Sequence, residues 1–405
     1  VEELPSIYGW VGTVLAITLF TYPYLLLSVR AGLQGMDSSI EEASRSLGYS
    51  AQATFWRVTL PQLRPSLVAG GLLVALYALR DFGTPSLMRF DAFTRVIFLQ
   101  YKSSFNRNAA AALALVLVVL VFGILWLEFR ARTKAAYYSR GTVSRTPPPP
   151  IRLGRWKWPA LVFCGSVMAL SLVLPVGVTL FWLGRGLMVD AGSTPWLAMG
   201  KAIAHSVFAA SLAAGAATLC ALPVAILAVR FPSRLTAILE RGSYLGFGLP
   251  GIVIALSLVF FGANYAPDLY QTLPMLIFAY LILFLPQSVG TVRSSLLQVN
   301  PALEESARSL GRTPWQTLRA VTLPLVRPGV LSGAVLIFLT TIKELPATLL
   351  LAPIGFNTLA TQIWQATEDA AFTDAAVGSL ALLLVSTGLT LLMIAQERSP
   401  LHRER

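Results

Sequence analysis

Two polar stretches 263 residues apart set the same residue types at the same spacing. In the first, Glu42 is followed by the small pair Ala43-Ser44, then by Gly48, Val58 and Leu60-Pro61; in the second, Glu305 is followed by Ser306-Ala307, Gly311, Val321 and Leu323-Pro324. Neither stretch sets a nucleophile beside a base or opposes two carboxylates, so no bond-making chemistry follows from them. What these residue types support is docking. A short helix can start near Asp37 or Ser39 and run to Leu47, Gly48 can end it in the left-handed conformation, and a second can run from Ala51 to Val58 before Leu60-Pro61 stops it. Two short helices hinged on glycine make a knob whose small residues sit closely in a partner's groove. Glu42 with Arg45, and Glu305 with Arg308, then fix the register by charge.

A second set of charges falls where charge is costly. Arg80-Asp81 and Lys343-Glu344 each follow an apolar run, ~22 Å into a hydrocarbon core of ~30 Å if that run is helical. Neighbours on a helix point about 100° apart, so each pair is poorly placed to satisfy itself. Across a pseudo-twofold axis Arg80 can meet Glu344 and Lys343 can meet Asp81, an arrangement expected to act as an outer gate. Cys164 and Cys220 lie far apart in apolar stretches and imply packing, not a disulfide framework. With His205 and His402 the only histidines, no metal site and no catalytic residue is expected, and His205 reads as a packed or interfacial side chain.

The elements that must position these residues lie in lipid. Hydrophobic residues make up 55% of the 405 and charged residues 12%. The mean hydropathy is +0.68. Nine stretches are long and apolar enough to cross a bilayer as helices: 8–29, 64–80, 108–128, 159–183, 202–229, 243–262, 272–292, 328–345 and 374–395. The expected fold is therefore an all-α, polytopic transmembrane bundle of about nine helices. A net charge of +12 invites a nucleic-acid reading, but the basic residues segregate by membrane side. If the loops at 30–64 and 293–327 are cytoplasmic, 23 of the 31 Lys and Arg residues share that side, the bias that orients inner-membrane proteins. No nucleic-acid partner is expected.

The matched knobs belong to a longer internal repeat. The run from Glu41 aligns without a gap to the run from Glu304, and the match extends from Pro23 with Pro286, through Arg30 with Arg293, to Gly70 with Gly333. The chain then divides into a first repeat at 1–130, a cytoplasmic linker at 131–158 rich in Pro and Arg, and a second repeat at 159–405. About three helices that open the second repeat have no counterpart in the first, which reads as truncated.

The repeated pattern resembles the EAA loop of binding-protein-dependent ATP-binding cassette (ABC) importer permeases, with Ser in place of one Ala in each copy. The resemblance implies two tandem repeats of the type I permease fold. It also implies loops that dock on nucleotide-binding subunits and turn closure of their ATP dimer into helix movement. Two ABC ATPase subunits, a periplasmic substrate-binding protein and a multi-pass position in a bacterial inner membrane follow from the same resemblance. No GxxxxGK[ST] loop is found in the chain. ATP is thus expected to be used by a partner ATPase, with no cofactor on this chain and no enzymatic activity of its own. The segments KELPATLLLAPIGFNTLATQIWQ, from Lys343, and FGTPSLMRFDAFTRVIFLQYKSSFNRNAAAALALVLV, from Phe82, look like the ferric iron permeases in which both halves are fused. Ferric iron is the implied cargo, with thiamine, phosphonate or another small solute as the alternative. A secondary transporter would need an ion site inside the spans and would have no use for matched ATPase knobs.

Overall fold

A computed structural model of the chain describes residues 6–36, 38–104, 106–138, 153–189 and 196–398. Among these residues every regular element is helical. Lipid offers no partner to a backbone amide or carbonyl, and a helix satisfies both within one segment. The first compact unit, Val1–Val178, contains α1 (Trp10–Gln34), α2 (Ser38–Ser46), α3 (Ala51–Thr54), α4 (Leu60–Arg80), α5 (Gly83–Leu87), α6 (Phe93–Lys102), α7 (Arg107–Tyr138) and α8 (Lys157–Met168). Helix α9 (Leu174–Val189) leads into the second unit, Thr179–Arg405. That unit holds α10 (Trp196–Arg230), α11 (Arg234–Gly248), α12 (Gly251–Tyr265), α13 (Leu273–Gln298), α14 (Pro301–Ser309), α15 (Pro314–Thr317), α16 (Leu323–Thr341), α17 (Pro346–Leu351), α18 (Leu359–Glu368) and α19 (Phe372–Arg398). The expected linker falls for its central part, 139–152, outside the described residues.

Among the described residues eight helical runs are long and apolar enough to cross a membrane. The span expected at 243–262 is a bent pair, α11 and α12, turning by 104° between Gly246 and Gly251. Leu249 and Pro250 are both extended there, with ψ of 135° and 141°. Pro250 has no N–H to continue α11 and disfavours a helical residue before it, so the chain leaves one helix and starts another.

In the first unit α4 lies against α1 and α7, and in the second α13 packs on α10, α11 and α16. Between lipid-embedded helices no hydrophobic driving force acts, so close approach of small residues carries the packing. α10 accordingly buries Ala202, Ser206, Ala209, Ala213, Ala217, Ala221 and Ala225 along one face. The run Gly154–Met188 contrasts with it. None of its apolar window is buried, and Trp158, Phe163 and Phe181 point outward as a lipid-facing surface would require.

The two inter-helix crossings that carry the repeat are built from exchanged residues. At the α1–α4 crossing a Cβ placed on Gly32 would come within 2.8 Å of the Ser66 Cβ; at the α13–α16 crossing one placed on Gly329 would come within 2.5 Å of the Ser295 Cβ. Gly32 is equivalent to Ser295, and Ser66 to Gly329, so each crossing admits one Cβ and the two repeats put it on opposite helices. Gly32→Ser should therefore lower stability by about 1–3 kcal/mol, as overpacking does. Adding Ser66→Gly to that variant should restore it. Thermal unfolding of the detergent-purified chain and both variants checks this, and a double variant no more stable than Gly32→Ser would refute the exchange.

Candidate functional site

Element by element, the two knobs superpose in sequence at the offset of 263. α2 maps on α14, α3 on α15, a wide helical turn at Phe55–Thr59 on another at Leu318–Thr322, and α4 starts where α16 starts. Local chemistry explains the repetition. Gly48 and Gly311 adopt φ of +85° and +84°, the left-handed conformation in which a side chain clashes with the backbone. Each ends its helix by the same pair of bonds. Gly48 N–H donates to Arg45 O at 3.0 Å and Tyr49 N–H to Ser44 O at 3.3 Å; Gly311 N–H donates to Arg308 O at 2.9 Å and Arg312 N–H to Ala307 O at 3.2 Å. The second short helix is then capped by Ser50, which accepts from Ala53 N–H at 3.2 Å, or by Thr313, which accepts from Gln316 N–H at 3.3 Å.

The expected stop at Leu60-Pro61 does not occur, and the equivalent Leu323-Pro324 shows none either. Helical structure runs from Ala51 to Arg80 and from Pro314 to Thr341 without a break. The wide turn is the reason. Leu60 N–H reaches back five residues to Phe55 O, and Leu323 N–H to Leu318 O, so the carbonyls that a following proline ring would strike are moved aside and its missing N–H is not needed. The second helix of each knob and the membrane helix are thus one continuous rod.

The repeated motif divides between two faces. Glu42, Ala43, Glu305 and Ser306 are exposed, whereas Ser44 and Ala307 are buried against the wide turn, so only one of each small pair is available to a partner. Leu47 and Leu310, beside the glycines, are 79% and 85% exposed and form the apolar tips. Leu60, Pro61 and Leu323 are half-buried and Pro324 exposed at the junction with the rod. On the second knob Arg312, Gln316, Arg319 and Ala320 line a shallow basic hollow.

Sequence reasoning missed the residues that hold the knobs in place. They are the glutamates one position earlier. Thr59 Oγ1 donates to Glu41 Oε1 at 2.5 Å, and Thr322 Oγ1 to Glu304 Oε1 at 2.9 Å. Ser44 and Thr54 hydroxyls add a 3.1 Å bond in the first knob. In the second, Ala307 replaces that serine, and Thr317 Oγ1 has no hydrogen-bond partner among the described residues. Glu304 is also bound by Arg230, with Nε 3.1 Å from Oε2. The available signal was Glu41/Thr59 and Glu304/Thr322, both pairs separated by 18 residues within the repeated run.

The charged pairs lie at helix breaks, not within helices as expected. α4 ends at Arg80 and Asp81 turns extended, with ψ of 125°. α16 ends at Thr341, before Lys343-Glu344. The Asp81 carboxylate is hydrogen-bonded to Thr84, and Glu344 Oε1 accepts from Ala347 N–H at 3.4 Å. Each acid thereby caps the short helix that follows, α5 or α17, where free amides and the positive end of the helix dipole favour a carboxylate. His205 stacks on Phe356 at 4.3 Å between centroids, with Nδ1 3.1 Å from Asn357 O. Cys164 and Cys220 are free thiols on exposed helix faces, and His402 lies outside the described residues.

A family model described as the binding-protein-dependent transport system inner membrane component matches residues 5–129 and 217–399, one segment around each knob. The chain is 38% identical over 377 residues to the Fe(3+)-transport system permease protein FbpB 2 of Haemophilus influenzae, covering 93% of this chain and 74% of that protein. It is 26% identical over 417 aligned positions to the probable ABC transporter permease protein y4fN of Sinorhizobium fredii, covering 96% and 73%. To the ferric transport system permease protein FbpB of Actinobacillus pleuropneumoniae it is 25% identical over 400 positions, covering 94% of this chain and 57% of the relative.

Proposed function

This chain belongs to the family of binding-protein-dependent transport system inner membrane components, and on that premise we propose that it forms the passage through which an ATP-driven importer moves ferric iron across a bacterial inner membrane. The observation that carries the reading is the pair of knobs, matched element for element, the second helix of each continuous with a membrane helix. A rod of 30 residues, Ala51–Arg80, is about 45 Å long, enough to carry a displacement at its outer end through the whole bilayer. Two knobs accept two ATPase subunits. The exposed Glu42 and Glu305, the apolar tips and the basic hollow supply charge and contact, while Glu41 and Glu304 hold each knob against its rod. Arg80-Asp81 and Lys343-Glu344 are assigned to the outer end of the passage, since charges at such depth face water or a bundle interior.

Ferric iron as cargo is supported by two relatives whose names specify it. Selection is assigned to a periplasmic binding protein, so the passage itself requires no iron cage. The test is uptake by proteoliposomes holding this chain, its co-expressed ATPase and the loaded binding protein. Ferric iron uptake should require ATP inside and persist when ion gradients are dissipated. Uptake driven by a gradient alone, or a chain that never copurifies with an ATPase, would overturn the transport reading. Equal uptake of thiamine or a phosphonate in place of ferric iron would overturn the cargo alone.

A further inference from the structure

One cation at the end of α10 reaches three groups on two other elements at once. Arg230 Nη2 donates to Leu296 O at 3.4 Å and to Val299 O at 3.2 Å, while Nε donates to Glu304 Oε1 at 3.2 Å. Leu296 and Val299 are at the C-terminal end of α13, where the last carbonyls lack the ordinary partner four residues on and the dipole is negative, and Glu304 is on α14. The carboxylate continues the chain of bonds through Thr322 to the wide turn that opens α16. Side-chain exposure is 14% for Arg230 and 8% for Glu304, so the pair is shielded from water and the geometry is held. Directly beside it Ala225, Val292, Leu296, Val299 and Val326 close an apolar cluster drawn from α10, the end of α13 and α16.

We infer that Arg230 is a positioning residue for energy coupling: it locks the second knob to α10 and α13, so that a push on α14 moves three membrane helices as one body. The inference rests on the docking reading of α14. Arg230 acts through Glu304. Guanidinium suits the task because its planar fork serves two carbonyls and a carboxylate together, which an ammonium does less well. With Arg230 gone, α14 still carries its docking residues, but its angle to the ends of α10 and α13 is set by the apolar cluster alone.

The experiment compares Arg230→Met, Arg230→Lys and Glu304→Gln in the complete complex of chain, ATPase and loaded binding protein. The readout is ferric iron carried per ATP hydrolysed, a ratio that a merely structural loss of complex does not alter. Arg230→Met is expected to lower it roughly tenfold, within the range of a coupling between two sites, and Arg230→Lys to recover part of the loss. If Arg230→Met does not assemble, Glu304→Gln decides: a lowered ratio supports the lock. An unchanged ratio in whichever of the two assembles overturns it. Gly311→Trp in the same assay separates this from the docking reading. Coupled transport in that variant removes the docking reading, whereas its loss beside an unaffected Arg230→Met removes the lock alone.

Discussion

Gly311→Trp is expected to bring uptake to background, a fall of roughly tenfold or more, of the size seen when a docking hot spot is lost, while the protein remains in the membrane at ordinary level. Two physical facts give both halves of that result. At φ +84° a side chain costs about 1–2 kcal/mol through its own backbone, so the turn that aims Leu310 and Glu305 outward is disturbed. Yet among the described residues nothing lies within 4 Å of a Cβ on Gly311, so the chain meets no internal clash and folds. The indole instead occupies the space a partner needs. Gly311→Asn is the matched control, because asparagine tolerates the left-handed conformation and should keep most of the activity. Immunoblotted membranes, ATPase copurification and uptake measured side by side check the prediction, and full uptake by the tryptophan variant would contradict it.

Gly333→Val should act by another route and weaken the fold itself. A Cβ at Gly333 would come within 2.5 Å of Thr291 Oγ1 and 3.2 Å of the Ser288 Cα on α13. The hydroxyl can turn aside, but the backbone cannot, so α13 and α16 must separate. Overpacking of this kind costs about 1–3 kcal/mol, and valine adds two methyl groups beyond the atom already in collision. The expected outcome is a lower unfolding temperature in detergent, a reduced amount in membranes and uptake reduced in proportion. Gly388→Val on α19 meets nothing within 4 Å of its Cβ among the described residues and should change none of the three. Equal stability of the two valine variants would show that the α13–α16 crossing does not depend on this contact.

The knobs were legible in the sequence because their signals are local. A glycine that must be left-handed, a cap three residues from the amide it satisfies, and a repeat that returns both at the same offset require no knowledge of distant chain. The apolar spans were legible for a similar reason, since lipid imposes length and composition on each helix separately. The error at Leu60-Pro61 shows the limit of that reasoning. A proline usually stops a helix. Here a single wide turn absorbs it, and the turn's Thr59 is engaged by Glu41, which belongs to another element.

By itself the sequence determined an all-helical membrane chain, its two repeats, its two knobs and the family to which they belong. Tertiary structure alone decided which glutamate of each adjacent pair faces inward. Glu304 and Glu305 are chemically equal neighbours, and what separates them is Thr322, 18 residues away in sequence, together with Arg230, 74 residues away. That hydroxyl and that cation converge on the first and leave the second exposed. Burial of a charge is settled by whatever else reaches the same point in space, and spacing along a chain carries no record of it.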